Sequence, residues 1–91
     1  MIHWFEITLE GADFVSEESD DADALYEAGC DDTVPMHDGP LVRVLFYREA
    51  ETFNAAVASA VLAIGRSLPH VRIMRIERRT DMEEPGLPHS A

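Results

Sequence analysis

The sequence has no lysine, a single cysteine and no long apolar run, and each absence excludes a class of protein. One cysteine, Cys30, cannot form a disulfide within the chain, which favours a reducing compartment. No apolar stretch reaches the ~20 residues that a membrane-spanning helix needs, and the first residues lack the basic start and apolar stretch of a signal peptide. We therefore expect a cytoplasmic protein that does not contact membranes.

Positive charge is scarce and unevenly distributed. Eighteen acidic residues face seven arginines, for a formal net charge of −11. Residues 1–42 hold twelve of the acids and no arginine, whereas residues 43–91 hold six acids and all seven arginines. Because phosphate binding draws on clustered positive charge, this composition disfavours nucleic acids and anionic lipid surfaces as ligands. The acidity either keeps the protein soluble or forms a docking face for a protein partner with a basic surface.

Signatures of catalysis are also missing. The four histidines match no metal-binding spacing, and the chain has no glycine-rich phosphate loop. Cys30 follows Gly29, which is a typical helix-ending glycine, and a residue in that place commonly packs inward. We therefore predict a buried structural thiol, no catalytic residues, no metal, no cofactor and no enzymatic activity.

Six segments show strand or helix periodicity, in the order strand, helix, strand, strand, helix, strand. The first helix is expected to begin at Ser16 or Ser19 and to end at Gly29; the second is expected to be capped by Thr52 and to end at Gly65 and Pro69. The predicted strands are 3–10, 31–36, 41–48 and 71–77. The apolar residues of the last strand change parity midway, which predicts a β-bulge or an edge strand.

Two apolar stripes define the expected inner faces of the helices. In the first helix they are Ala22, Leu25, Tyr26 and Ala28. In the second they are Phe53, Ala56, Val57, Ala60, Val61 and Ile64, so that its outer side presents Asn54, Ala55, Ala58, Ser59, Leu62 and Ala63. No charge occurs from Thr52 to Gly65, so this outer side is either simply exposed to solvent or covered by a partner or by the C-terminal tail.

Short connections and right-handed crossovers then favour one fold class for residues 1–79. It is an α+β, two-layer βαββαβ ferredoxin-like sandwich, with an antiparallel four-stranded sheet and two helices on one face. The first and third strands are expected to be central neighbours. Residues 80–91 are expected to form a disordered C-terminal tail.

The sheet face away from the helices is the first candidate site. Its predicted members are apolar or small: Trp4, Thr8, Leu41, Leu45 and Tyr47. An apolar patch on so small a domain indicates a protein interface, most simply a homodimer packed sheet to sheet.

The acidic segment 13–32 is the second candidate, since nine of its twenty residues are acids. The predicted docking face consists of Asp20, Asp21, Asp23, Asp31 and Asp32. Such a face could bind a basic protein surface, or imitate nucleic-acid phosphates and so block a basic groove.

Four short motifs resemble small bacterial ferredoxin-like domains, most of them hypothetical proteins. They are Leu25-x-x-Ala28-Gly29-Cys30-Asp31-Asp32, Phe46-x-Arg48-Glu49-Ala50, Ala56-Val57-x-Ser59-Ala60 and Val71-Arg72. Some of those domains precede a helix-turn-helix segment, so the resemblance implies a bacterial source and a regulatory or antitoxin-like role. Only twelve residues follow Arg79, too few for a helix-turn-helix, and we expect no direct contact with nucleic acid.

The sequence thus leads first to a non-enzymatic, dimerising protein-interaction domain with a regulatory or accessory role. One alternative is an acidic inhibitor protein that imitates nucleic-acid phosphates in a phage or defence setting. Another is a small-molecule-sensing domain with its ligand between paired domains.

Overall fold

The computed structural model describes residues 1–16, 18–30 and 32–79 of the chain. In chain order its elements are β1 (Ile2–Glu10), α1 (Asp21–Glu27), β2 (Thr33–Asp38), β3 (Leu41–Glu49), α2 (Phe53–Ser67) and β4 (Arg72–Arg78). The strands form one antiparallel sheet in the order β2-β3-β1-β4, with β1 and β3 in the centre. The predicted α+β arrangement and its central strand pair are confirmed. The tail predicted at 80–91 lies outside the described residues.

One face of the sheet packs against both helices and forms the core. Six side chains of the two central strands are at most 1% exposed there: Phe5, Ile7, Leu9, Val42, Val44 and Phe46. The rings of Phe5 and Phe46 stack with centroids 5.2 Å apart. Burial of each such side chain contributes about 1.5–3 kcal/mol, so this face holds the two layers together.

Helix α2 begins as predicted but ends later. The Thr52 hydroxyl accepts a hydrogen bond from the Ala55 N–H at 3.0 Å, which confirms the cap. Gly65 does not end the helix, because its backbone stays helical and α2 runs on to Ser67, two residues before Pro69. Ala63 was predicted to face outward but is buried, since it lies seven residues after Ala56 and therefore on the same side of the helix.

Helix α1 is shorter than predicted and turns a different side inward. Neither Ser16 nor Ser19 is its first residue: the chain turns at Asp13, and the helix begins at Asp21. In two turns of helix only Asp21 and Leu25 become buried, four residues apart on one side. The predicted stripe is therefore wrong at its other members, which are exposed: Ala22, Tyr26 and Ala28.

The end of α1 follows the prediction. Gly29 has φ +93°, a left-handed conformation that favours glycine, and terminates the helix. The next residue, Cys30, turns inward and is 2% exposed, as predicted.

The two edge strands differ from their predicted bounds by one or two residues. β2 spans Thr33–Asp38, because His37 and Asp38 pair with Val42 and Leu41, which leaves Gly39 and Pro40 as the hairpin turn. Pro35 lies on this edge strand, as its missing N–H requires.

In β4 the predicted bulge is confirmed. Thr8 lies opposite Arg75 and Leu9 opposite Ile73, which leaves Met74 as the extra residue.

Candidate functional site

The sheet face opposite the helices, here called the open face, is formed by alternate residues of the four strands. Its members follow from the pairing register: Ile2, Trp4, Glu6, Thr8 and Glu10 of β1, Val34, Met36 and Asp38 of β2, Leu41, Arg43, Leu45, Tyr47 and Glu49 of β3, and Arg72, Arg75 and Glu77 of β4, with Met74 beside them at the bulge. The five predicted interface residues all lie on this face.

Those five residues differ in exposure. Trp4 and Tyr47 are direct cross-strand partners, and their rings lie 5.3 Å apart at 31°. Tyr47 is 39% exposed, Trp4 and Leu41 are partly buried, and Thr8 and Leu45 are buried. Long neighbours on the adjacent strands flank both buried residues, as Arg43 and Arg75 flank Thr8. The accessible part of the predicted patch is therefore the Trp4–Tyr47 pair and the edge of Leu41.

The structure adds exposed apolar residues that the sequence reasoning did not select. Ile2, Val34, Met36 and Met74 are between 36% and 47% exposed, and all lie on or beside the open face. Val34 and Met36 alternate along β2, a signal that was available, but β2 had been assigned no face because its register was unknown. The apolar surface therefore extends across the outer strands.

A charged cluster occupies the rest of the open face. The Glu6 side chain is 2% exposed although no helix of the described chain covers it. Its Oε2 accepts a hydrogen bond from Arg79 Nη1 at 2.9 Å, and its Oε1 lies 3.9 Å from Arg43 Nη1. Arg79 is brought there because its backbone N–H donates to the Trp4 carbonyl just beyond the end of β4.

Charges of both signs balance on this face. Its acids Glu6, Glu10, Asp38 and Glu77 are matched by Arg43, Arg72, Arg75 and Arg79. Arg72 lies 3.6 Å from Glu10, Arg75 lies 3.0 Å from Glu77, and Glu49 at the border is bound by the Met1 amino group at 2.7 Å. The open face is therefore close to neutral in a chain of net charge −11.

The predicted acidic docking face is only partly available. Asp20 and Asp23 are exposed, and Asp31 lies outside the described residues. Asp21 is buried: its Oδ2 accepts the Asp13 N–H at 2.8 Å, and its Oδ1 lies 3.1 Å from His70 Nε2.

Asp32 has an internal role as well. It accepts two hydrogen bonds from Arg48, at 3.0 Å from Nε and 2.9 Å from Nη2, and this pairing raises the pKa of the Arg48 guanidinium above its ordinary value. Arg48 also donates to Ser59 on α2 and to the Gly29 carbonyl and the Cys30 sulfur. This network ties the end of α1 to β3 and α2. Among the described members of the predicted docking face, Asp20 and Asp23 are the exposed ones.

A groove of about 620 Å³ separates the two helices. Its lining includes small side chains, Ala24 of α1 and Ala28 just after it on one side and Ser59 and Ala63 of α2 on the other. Leu62 and Arg66 also line it, as do Glu27, Arg48 and Ser67. Part of the uncharged side of α2 therefore forms one wall of a groove, which the sequence did not predict.

Within the described residues, no three or more His, Cys, Asp or Glu side chains lie close enough together to hold a metal ion. Among the helices in these ranges, none has the length and apolar composition needed to cross a membrane. Comparison with protein families, with curated proteins and with solved structures found no match.

Proposed function

We propose that this chain is a non-enzymatic protein-interaction domain that forms a homodimer through its open face, in a regulatory or accessory role. The observation that carries the proposal is an apolar surface centred on Trp4 and Tyr47, on a sheet face without net charge. The core is supplied on the opposite face, so this surface is not needed to hold the two layers together.

The composition of the surface supports an interface. Tyrosine, tryptophan and methionine are enriched where proteins bind each other, and Tyr47, Trp4, Met36 and Met74 provide all three types. A specific interface typically covers about 800 Å² on each partner, which requires most of a four-stranded sheet face. The exposed apolar residues lie on or beside all four strands and so span the width of the sheet face.

The charge distribution supports a second copy as the partner. Two chains of net charge −11 repel each other, and the repulsion is least where the contacting surfaces are neutral. The open face meets that condition. A basic partner would instead be attracted to α1, where Asp20 and Asp23 are exposed.

Of the alternatives, small-molecule sensing has one supporting observation, the groove between the helices, whose size is within the range of ligand pockets. Imitation of nucleic-acid phosphates has less support, because Asp21 and Asp32 are used in internal contacts. We therefore keep dimerisation as the proposed function.

Sedimentation velocity at micromolar concentration tests it. We expect the native chain to sediment as a dimer and Tyr47→Glu to sediment as a monomer, because the new carboxylate would be buried against the partner. Leu62→Glu is the matched control: it adds the same charge at an exposed apolar position on α2 and leaves the dimer intact. A monomeric native chain, or equal effects of the two substitutions, would contradict the proposal.

A further inference from the structure

Arg43 is an arginine of the open face with unused hydrogen-bonding capacity. It forms no hydrogen bond with any described residue, and its Nε is buried without a partner. Its contacts to Glu6 and Asp38 are both 3.9 Å, too long for hydrogen bonds. By contrast, Arg75 and Arg79 donate to carboxylates at 3.0 Å and 2.9 Å. An arginine carries five N–H donors, and the Arg43 side chain is 43% exposed, so its donors other than the buried Nε are accessible to another acceptor.

Asp38 is the complementary group beside it. Its side chain is 67% exposed, and its closest cation within the described chain is Arg43 at 3.9 Å. The other nearby acids are engaged or buried: Glu77 accepts from Arg75, and Glu6 is 2% exposed. Asp38 is therefore the carboxylate of this region that a second molecule reaches most easily.

The positions of Arg43 and Asp38 on the sheet favour a reciprocal contact between two copies. Arg43 lies on the central strand β3, and Asp38 lies on the adjacent β2, so the two residues are neighbours on one face. A shallow pocket of about 320 Å³ lies beside them and leaves room for a side chain of a second copy. Its lining includes Thr8, Leu41 and Met74. In a two-fold symmetric interface, residue i contacts residue j of the other copy and j contacts i. Two adjacent groups of opposite charge, neither hydrogen-bonded within the described chain, fit that geometry when the two-fold axis passes close to them.

From these observations we infer that Arg43 and Asp38 form the polar anchor of the homodimer, with Arg43 of each copy binding Asp38 of the other. The inference rests on the proposed function, since it needs two copies that meet through their open faces. Buried guanidinium–carboxylate pairs give an interface its register and specificity, and here the anchor would be made twice.

Reciprocal charge reversal tests the inference. In Arg43→Asp, two aspartates of one copy meet two of the other; in Asp38→Arg, arginine meets arginine. Each variant alone is expected to have a dimer dissociation constant at least about tenfold above that of the native chain. An equimolar mixture is expected to form heterodimers with near-native affinity, because every cross-copy pair is then aspartate with arginine.

Mixing the two variants distinguishes a contact between Arg43 and Asp38 of different copies from a contact within one copy. The control mixture is Arg75→Asp with Glu77→Arg, whose native side chains already bond within one copy at 3.0 Å, so mixing should restore nothing. Circular dichroism checks that each variant is folded. If either charge reversal fails to fold, Arg43→Gln and Asp38→Asn replace the pair, and each should still raise the dissociation constant.

Three outcomes overturn the inference. A native dimer whose charge-reversal variants do not associate on mixing removes the anchor and leaves the proposed function standing. Single variants that dimerise with native affinity also remove the anchor and leave the proposed function standing. A native chain that stays monomeric removes both the anchor and the proposed function.

Discussion

The two faces of the sheet are built from the same strands by different rules. The centre of the helix-covered face of β1 and β3 holds six large apolar side chains that are at most 1% exposed. The open face alternates aromatic, aliphatic and charged residues and even buries a carboxylate, that of Glu6. The first face obtains its stability from burial within one chain. The second face keeps apolar side chains exposed and leaves hydrogen-bonding groups without partners inside the described chain. These unused groups suggest that a partner covers the face.

Substitutions of two adjacent residues of β3, which point to opposite faces of the sheet, should give the largest difference in the free energy of unfolding. Phe46→Ala should lower the free energy of unfolding by about 3–5 kcal/mol, because it leaves a cavity in a fully buried core. Tyr47→Ala should cost about 1 kcal/mol in the monomer, mainly the lost contact with Trp4. Urea unfolding at concentrations below the dimer dissociation constant measures both values in the monomer, and dilution of the dimer measures the effect of Tyr47→Ala on association. Equal costs to the monomer would remove the distinction between the faces.

A second comparison lies within the open face. Glu6→Gln should lower the free energy of unfolding by about 1.5–3 kcal/mol, because it removes a charge from a buried hydrogen bond with Arg79. Glu10→Gln is the control on the same strand. Its carboxylate is half-exposed and 3.6 Å from Arg72, so the change should stay within about 0.5 kcal/mol. Monomer unfolding curves that are shifted equally by the two substitutions would show that the buried position of Glu6 has no energetic consequence.

A third comparison concerns the acids on the helix side. Asp32→Asn weakens both hydrogen bonds to Arg48 and should cost about 1.5 kcal/mol, while the exposed Asp23→Asn should change stability by less than about 0.5 kcal/mol. Thermal unfolding measures both. Neither substitution should alter the dimer dissociation constant, since neither residue lies on the open face. A weakened dimer in Asp23→Asn would point to α1 as the interface instead.

The smallest effect concerns pH. Hydrogen bonds from the backbone N–H groups of Ser16 and Val15 lower the pKa of Asp13 below its ordinary 3.8. A carboxyl with a lowered folded-state pKa stabilises the fold above its unfolded pKa, and that stabilisation is lost as the pH falls through the folded value. The difference in stability between the native chain and Asp13→Ala should therefore be full at neutral pH and shrink below 3.8. Acid titration of unfolding in both proteins measures it, and a constant difference would contradict the role given to these hydrogen bonds.

Strong periodicity made most of the fold predictable. The alternation in β1 and β3 placed their residues on the correct faces, and Thr52 and Gly29 marked helix ends by local chemistry. The first helix was harder because its sequence is rich in acids and small residues. Asp13, Ser16 and Ser19 each accept a hydrogen bond from a backbone N–H two or three residues later, and turns therefore occupy the segment in which the helix was expected to begin.

The candidate site was predictable only in outline. Trp4 and Tyr47 could be paired from the predicted topology, and the structure places them opposite each other. The partner of Glu6 could not be found, because Arg79 follows it by 73 residues and lies beyond the last predicted strand. For the same reason Asp32 was assigned to the docking face: nothing local to it indicates the Arg48 side chain that binds it.

The outer strands determine what happens when many copies meet, as in concentrated solution. β2 carries Pro35, which has no N–H to offer an added strand. β4 has a bulge at Met74 and three arginines, Arg72, Arg75 and Arg78, that would repel a second β4. Both edges thus resist the strand-by-strand addition that produces fibres. Each copy has one open face, so stacking through that face ends at two copies instead of continuing into an aggregate.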